Sequence, residues 1–334
     1  MELYADVVAT YRDFAGYAAA DSPTFAAWAA AVAEDPEVAA WISTLPGIKQ
    51  QPNLVFAAAR WHGVPAPGPY DGLREALLAD GSDGPIRATI LSHATQTNEV
   101  GRLATLLPAF ARIAAERADP SRPLALLEIG ASAGLCLYPE RWGYDWLTED
   151  GHRLLGDEPR LACRVKGAAP LPDAVPTIGW RGGLDLNPLD VTDDDQMDWL
   201  EQLVWPEHED RRVRLRQAID IARSDPPQLV KGDLLTALPS RVEEASAYGT
   251  VVVFHSAVIA YLDPALRPRF LELMDGLVST GACHWVSNEG KGVLPSVTAT
   301  GPAIAPEKPS FVLGIDGRAV AHTHGHGRSM RWFG

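Results

Sequence analysis

The run Leu124-Ala125-Leu126-Leu127-Glu128-Ile129, followed by Gly130-Ala131-Ser132-Ala133-Gly134-Leu135, constrains this chain more than any other stretch. An apolar segment with no alternation, interrupted by a single acid, reads as a strand buried on both faces. Small residues with two glycines then allow a tight turn, and the pattern predicts the start of a helix after it. Such a strand needs neighbours on either side and helices above and below, which points to an α/β sheet. The turn itself would bring backbone N–H groups and a helix N-terminus close to a ligand.

The sequence on the two sides of this run differs in character. Residues 1–122 read as an N-terminal helical cap region. Leu3, Val7, Val8, Tyr11 and Phe14 recur at helical spacing, and Ser22-Pro23 supplies an N-cap and a first-turn proline ahead of Phe25, Trp28, Ala31 and Val32. Further helices are expected near Leu54–Trp61, Gly72–Ala79 and Asn98–Ala118, the last kinked at Pro108. Residues 123–334 read as the α/β domain. Apolar runs at Leu124–Ile129, Gln228–Lys231, Thr250–Phe254 and Cys283–Asn288 alternate with helical stretches at Asp198–Leu203, Arg211–Ala222 and Pro264–Val278. The chain closes with a hairpin, Phe311–Ile315 and Arg318–His322 around Asp316-Gly317. The expected fold is a doubly wound, mostly parallel sheet ending in an antiparallel hairpin.

Composition removes several function classes. The 334-residue chain is 46% hydrophobic, ample for a large core, and carries a net charge of −14, which repels phosphate backbones. No basic patch offsets that charge, so nucleic acid is not an expected partner. The mixed run Glu207 to Arg216 reads as a solvated helix face. Three widely spaced cysteines (Cys136, Cys163, Cys283) suit a reducing compartment. With no signal-peptide pattern and no apolar run of ~18 residues, the chain is expected in the cytoplasm and off the membrane. Asp193-Asp194-Asp195 reads as the acidic first turn of a helix, and most of the ten tryptophans as core. His322, His324 and His326 alternate near the C-terminus, but their glycine-flanked setting reads as a polar edge or loose tail. No metal is expected.

The glycine turn itself admits two chemistries. Glu128, Gly130, Ser132 and Gly134 resemble the first motif of S-adenosylmethionine-dependent methyltransferases, an acid followed by glycines at alternate positions. Ser132 stands where that family usually has glycine, and its side chain narrows the room for a cofactor. Gly130-Ala131-Ser132-Ala133-Gly134 also spells G-x-S-x-G, the nucleophile elbow of serine hydrolases, with Ser132 as nucleophile and a later Asp and His completing a triad. That fold needs several strands upstream, where residues 1–122 look helical. A third possibility is that the small residues simply permit close helix-to-sheet packing.

If the strand ends line one crevice, several later residues should join it. Asp233, after Gln228–Lys231, is placed to accept from an adenine amino group in the methyltransferase resemblance, or to cap a helix. Asp185 resembles the carboxylate that holds ribose hydroxyls. It lies 55 residues beyond Gly130, against the roughly 20 of dinucleotide folds, so an insertion must intervene or Asp185 does something else. His255 ends the Val251–Phe254 run, where a general base would sit, and Ser287-Asn288-Glu289 ends the next. Asn98 and Glu99, with Arg102 one turn on, form a polar cluster just before the sheet begins.

Together, Gln96–Arg102, Leu127–Leu135, Gly183–Val191, Leu203–His208, Lys231–Leu235, Val252–Leu262, His284–Glu289 and the His326-Gly327-Arg328 tail resemble the bacterial domain-of-unknown-function family 2332. The resemblance implies a methyltransferase-like Rossmann variant with an N-terminal helical region, and transfers no catalytic residue. The expectation is therefore a protein that binds S-adenosylmethionine or a similar nucleoside, possessing a small-molecule substrate. Glu128, Gly130, Ser132, Gly134, Asp185 and Asp233 would hold the cofactor, and His255, Glu99 and Asn98 would orient or deprotonate the acceptor. The alternatives are a serine hydrolase built on Ser132 and a non-catalytic protein that binds a metabolite or another protein.

Overall fold

The computed structural model describes residues 6–117, 119–306 and 308–334, so Leu3 and Ala118 of the helices expected above lie outside the described residues. The chain forms two compact units, one of residues 1–97 and 192–217, the other of residues 98–191 and 218–334. This division differs from the one expected at 122/123, because the helix before the first strand belongs with the sheet.

The first unit is helical. Its elements are α1 (Val7–Ala18), α2 (Pro23–Glu34), α3 (Pro36–Ser43), α4 (Pro52–Trp61), α5 (Tyr70–Asp80), α6 (Pro85–Ser92) and, from the returning segment, α8 (Asp194–Gln202) with the first half of α9 (Glu209–Ser224). Capping chemistry fixes their starts. Ser22 Oγ accepts from Phe25 N ahead of α2, and Asp35 accepts from Glu37 N and Val38 N ahead of α3, each with proline in the first turn. The apolar faces close on an aromatic centre. Phe56 lies edge-on to Phe25, Trp28 and Tyr11, with ring centroids 5.0, 5.4 and 5.8 Å away. Trp205, from the returning segment, meets Phe25 at 6.0 Å. Edge-on pairs of this kind add about 0.5–1.5 kcal/mol each beyond burial.

The second unit opens with α7 (Leu103–Glu116). The helix continues through Pro108, which has no N–H to give the Ala104 carbonyl. The Trp146 indole N–H fills that vacancy at 2.8 Å. Then follow β1 (Leu124–Ile129), β2 (Gly143–Thr148), β3 (Gly151–Leu155), β4 (Arg160–Lys166) and β5 (Ile178–Asp185). After α8 (Asp194–Gln202) and α9 (Glu209–Ser224) come β6 (Gln228–Lys231), α10 (Leu234–Ser246), β7 (Thr250–Ser256), α11 (Arg267–Ser279), β8 (His284–Gly290), α12 (Pro295–Thr298), β9 (Phe311–Ile315), β10 (Arg318–Thr323) and β11 (Ser329–Trp332).

The eleven strands among the described residues join one sheet in the order β3-β2-β4-β11-β10-β9-β8-β7-β1-β5-β6. The sheet is mixed rather than mostly parallel, with six parallel and four antiparallel neighbouring pairs. The five strands β6-β5-β1-β7-β8 are parallel to one another. Numbered in their own chain order they run 3-2-1-4-5, the order of doubly wound sheets. β1 is central and buried throughout. Ala125, Leu127 and Ile129 pack into a core with Leu238 and Val242 of α10 and Phe270 and Met274 of α11. On the opposite face Phe254 of β7 meets Phe110 of α7 at 5.2 Å. Both faces are covered, which is why β1 shows no alternation.

The closing hairpin forms as expected, with Asp316 at φ 48° and Gly317 at φ 77°, both of the sign that a two-residue turn of this hand requires. The expected acidic helix start is also present, with Asp193 as N-cap of α8 accepting from Gln196 N. Eight of the ten tryptophans are buried, so packing is their main use. Among the described residues no helix is long and apolar enough to cross a membrane, and no three His, Cys, Asp or Glu side chains are grouped to hold a metal ion. His322 packs its ring on Phe333, and β10 ends before His324, so the three alternating histidines do not share one strand.

Candidate functional site

The site begins where β1 ends. Gly130, Ser132 and Gly134 take φ values of 64°, 53° and 70°. The left-handed region is easy for glycine and uncommon for serine, so something must hold Ser132 there. Asp185 does. Its Oδ2 accepts from Ser132 N at 2.8 Å while Oδ1 accepts from Asn187 N at 2.7 Å. Gly130 N donates to Leu184 O at 2.7 Å and Leu189 N to Ser132 O at 2.9 Å, tying the turn to the end of β5. The 55-residue separation is thereby explained. β2, β3 and β4 are inserted between β1 and β5, yet β5 lies directly beside β1.

The helix expected after Gly134 does not form. Two short 3-10 turns, Leu135–Leu137 and Pro139–Arg141, lead straight into β2. Pro139 has no N–H to donate to the Leu135 carbonyl, while Leu135 N, at the start of the first turn, donates to Asn98 Oδ1 at 3.1 Å. The turn therefore presents no helix N-terminus to a ligand. Its glycines are also closely packed. A Cβ at Gly130 would fall 2.5 Å from Val258 Cγ1, and one at Gly134 would fall 2.9 Å from Pro227 Cγ and 3.1 Å from Leu229 Cδ2. The small residues thus admit protein side chains, but these come from loops and from β6 rather than from the helix packed on the sheet that the packing alternative expected.

Glu128, Asp185 and Asp233 stand at or just beyond the carboxyl ends of the adjacent strands β1, β5 and β6. Asp233 is exposed and caps α10, accepting from Leu235 N at 2.9 Å. Glu128 is only 8% exposed, and its Oε2 is buried with no hydrogen-bond partner. Burial pushes its pKa well above the usual carboxylate range, Arg102 opposes that rise and the Asp185 charge adds to it. Arg102 donates Nε to Gly325 O and Nη1 to Ser256 O, both at 2.8 Å. Ser132 Oγ and Asn98 Nδ2 are likewise buried and without a partner. Glu99 caps the 3-10 turn Val100–Arg102, accepting from Gly101 N at 3.1 Å. Cys136 lies within the field of Glu128, Arg102 and Glu99, and burial drives its thiol pKa up.

His255 is not brought together with these groups. Glu128 is paired with Phe254, so the next residue of β7 points to the opposite face. There the His255 ring is fully buried against Phe270 and Trp285, at 5.6 and 6.0 Å. It donates Nδ1–H to Glu289 Oε1 at 2.7 Å and accepts from Trp285 Nε1 at 3.0 Å. The end of β8 divides in the same way. Glu289 joins His255, while Asn288 donates to Ser256 Oγ and accepts from Thr323 Oγ1 on the Glu128 face. Val258 and Thr323 were not legible as site residues, since an isolated valine or threonine carries no local signal.

The elbow arrangement lacks its bonded base, because Ser132 Oγ has no hydrogen-bond partner. Among the described residues only helices precede β1. An open cavity of about 710 Å³ lies away from the turn, between the end of α7 and residues 168–177, with Ala111, Ala115, Leu171, Pro176 and Trp332 in its wall. No curated protein and no solved structure matches the chain. A family model matches residues 8–332, and the chain belongs to that family, described as uncharacterized protein conserved in bacteria (DUF2332).

Proposed function

We propose that this protein binds a nucleoside-bearing small molecule of the S-adenosylmethionine type across the carboxyl ends of β1, β5 and β6. The observation that carries this reading is the row of carboxylates Glu128, Asp185 and Asp233 on three adjacent parallel strands, with a glycine turn at the first. In sheets of this strand order ligands lie outside the carboxyl ends, beside the strand where the order reverses. On this reading Glu128, Ser132 and Asn98 take the polar end of the ligand, Asp185 faces the ribose, and Asp233 accepts from the base. Asn98 and Glu99 lie at the same end of the site and would orient a methyl acceptor. Methyl transfer depends mainly on in-line positioning, so the placement of His255 on the other face does not count against it.

Calorimetric titration of the full chain with S-adenosylmethionine and S-adenosylhomocysteine tests the proposal. Saturable heat is expected, reduced at least tenfold in Glu128→Gln. Absence of heat with both ligands at millimolar concentration overturns it. One feature favours the hydrolase alternative, the positive φ at Ser132. A fluorophosphonate probe that labels the wild-type chain but not Ser132→Ala would establish that chemistry instead.

A further inference from the structure

We infer that the buried His255–Glu289 pair is a clamp that fixes the turn after β7 with Val258 covering Gly130, and that Val258 thereby sets what can approach the glycine turn. The clamp stands on geometry alone; the role of Val258 in selection rests on the ligand reading above.

Glu289 Oε1 gathers three donors: His255 Nδ1 at 2.7 Å, Val258 N at 2.9 Å and Ile259 N at 3.1 Å. Glu289 is 2% exposed and His255 fully buried, so water cannot substitute for these bonds. Trp285 fixes the direction of the chain. Its indole only donates, so His255 Nε2 must accept and Nδ1 must be the nitrogen that donates to Glu289. Hydrogen bonds thus run from Trp285 through His255 to Glu289, and Glu289 receives the two amides of the turn.

What they hold is a strained segment. Ala257 sits at φ 60°, a conformation that is unfavourable for a residue with a Cβ. Ala257 N is bonded to Asn288 O at 3.1 Å, and the next two amides go to Glu289, so three successive N–H groups are committed to the end of β8. The strain persists because these bonds over-determine the turn. Their consequence is the position of Val258, whose Cγ1 and Cγ2 would lie 2.5 and 2.6 Å from a Cβ at Gly130. His255 and Glu289 are therefore positioning residues, acting on the glycine turn through Val258 from the far face of the sheet.

Native-state hydrogen exchange on the full chain tests the clamp. In Glu289→Gln the amides of Val258 and Ile259 should exchange at least tenfold faster, while those of Leu126 and Leu127 in β1 stay within twofold of wild type. Equal acceleration in β1, or no change at 258 and 259, overturns the clamp. Should Glu289→Gln fail to fold, Trp285→Phe provides the same readout, because it frees His255 Nε2 and removes the constraint on its tautomer. Titration with S-adenosylhomocysteine tests selection. Val258→Ala should bind several-fold more tightly and Val258→Phe at least tenfold more weakly than wild type. Equal affinity in all three overturns the role of Val258. If none binds while the exchange pattern holds, the ligand reading and selection fall together and the clamp stands.

Discussion

Two polar clusters lie on opposite faces of the same sheet, one residue apart along β7, and they are built on opposite terms. Under α11, His255 and Glu289 are buried with donors and acceptors matched, except for Glu289 Oε2. On the α7 face, Glu128, Ser132 and Asn98 each bury a polar atom that nothing meets. The atoms concerned are buried in both places, so burial alone does not distinguish the two clusters. Satisfaction does. A matched buried network rigidifies the fold, whereas unmatched buried groups cost stability, and on the proposal above the ligand's own polar atoms complete them.

The largest effect should come from breaking the matched side. Glu289→Ala leaves His255 Nδ1–H and two turn amides without an acceptor, and should lower unfolding stability in urea by about 3–5 kcal/mol. A loss under about 1 kcal/mol would break the comparison. A matched bond on the α7 face sharpens it. Trp146→Phe uncovers the Ala104 carbonyl that Pro108 cannot serve, and should cost about 1–3 kcal/mol by the same measurement. That outcome would show that matching, not the choice of face, decides. Glu128→Leu should be neutral or stabilising within about 1 kcal/mol, because it removes a buried Oε2 that has no hydrogen-bond partner. A cost of several kcal/mol would mean that Glu128 belongs to a matched network.

The smallest effect is a slope. The pKa of Glu128 is raised in the folded state, so between the unfolded carboxylate value and the folded one the native state holds a proton that the unfolded state has released. Its contribution is full below the unfolded value and is lost as pH rises through that window. Stability of the wild-type chain relative to Glu128→Gln should therefore fall as pH rises from the ordinary carboxylate range. A difference that is flat or rises with pH contradicts the assignment.

The same contrast explains what was legible. β1 matches its sequence run because continuous apolar character marks a strand with both faces covered, and β6 matches its run in bounds although it is a partly exposed edge strand. β2, β3 and β4 escape that test, since they alternate or lie exposed. β5 is disguised by glycines. A Cβ at Gly183 would meet Ala131 Cβ at 2.5 Å, so glycine there serves close approach of β5 to the turn rather than a break. α10 is hidden by Pro239. The carboxylates at the strand ends were legible because each follows an apolar run or a glycine. The face each side chain takes was not, because it depends on register. Counting alternate residues along β7 separates Phe254 from His255, but only pairing with β1 shows that Glu128 goes with Phe254. The missing helix after Gly134 has a local cause, since Pro139 cannot donate to the Leu135 carbonyl.

The most direct test of the central claim is a crystal structure of the full chain soaked with S-adenosylhomocysteine. The account predicts ligand density at the glycine turn, with polar ligand atoms within hydrogen-bond distance of Glu128 Oε2, Ser132 Oγ and Asn98 Nδ2. Ordered water alone at those three atoms, or ligand bound in the cavity beside α7 with the turn empty, would contradict it.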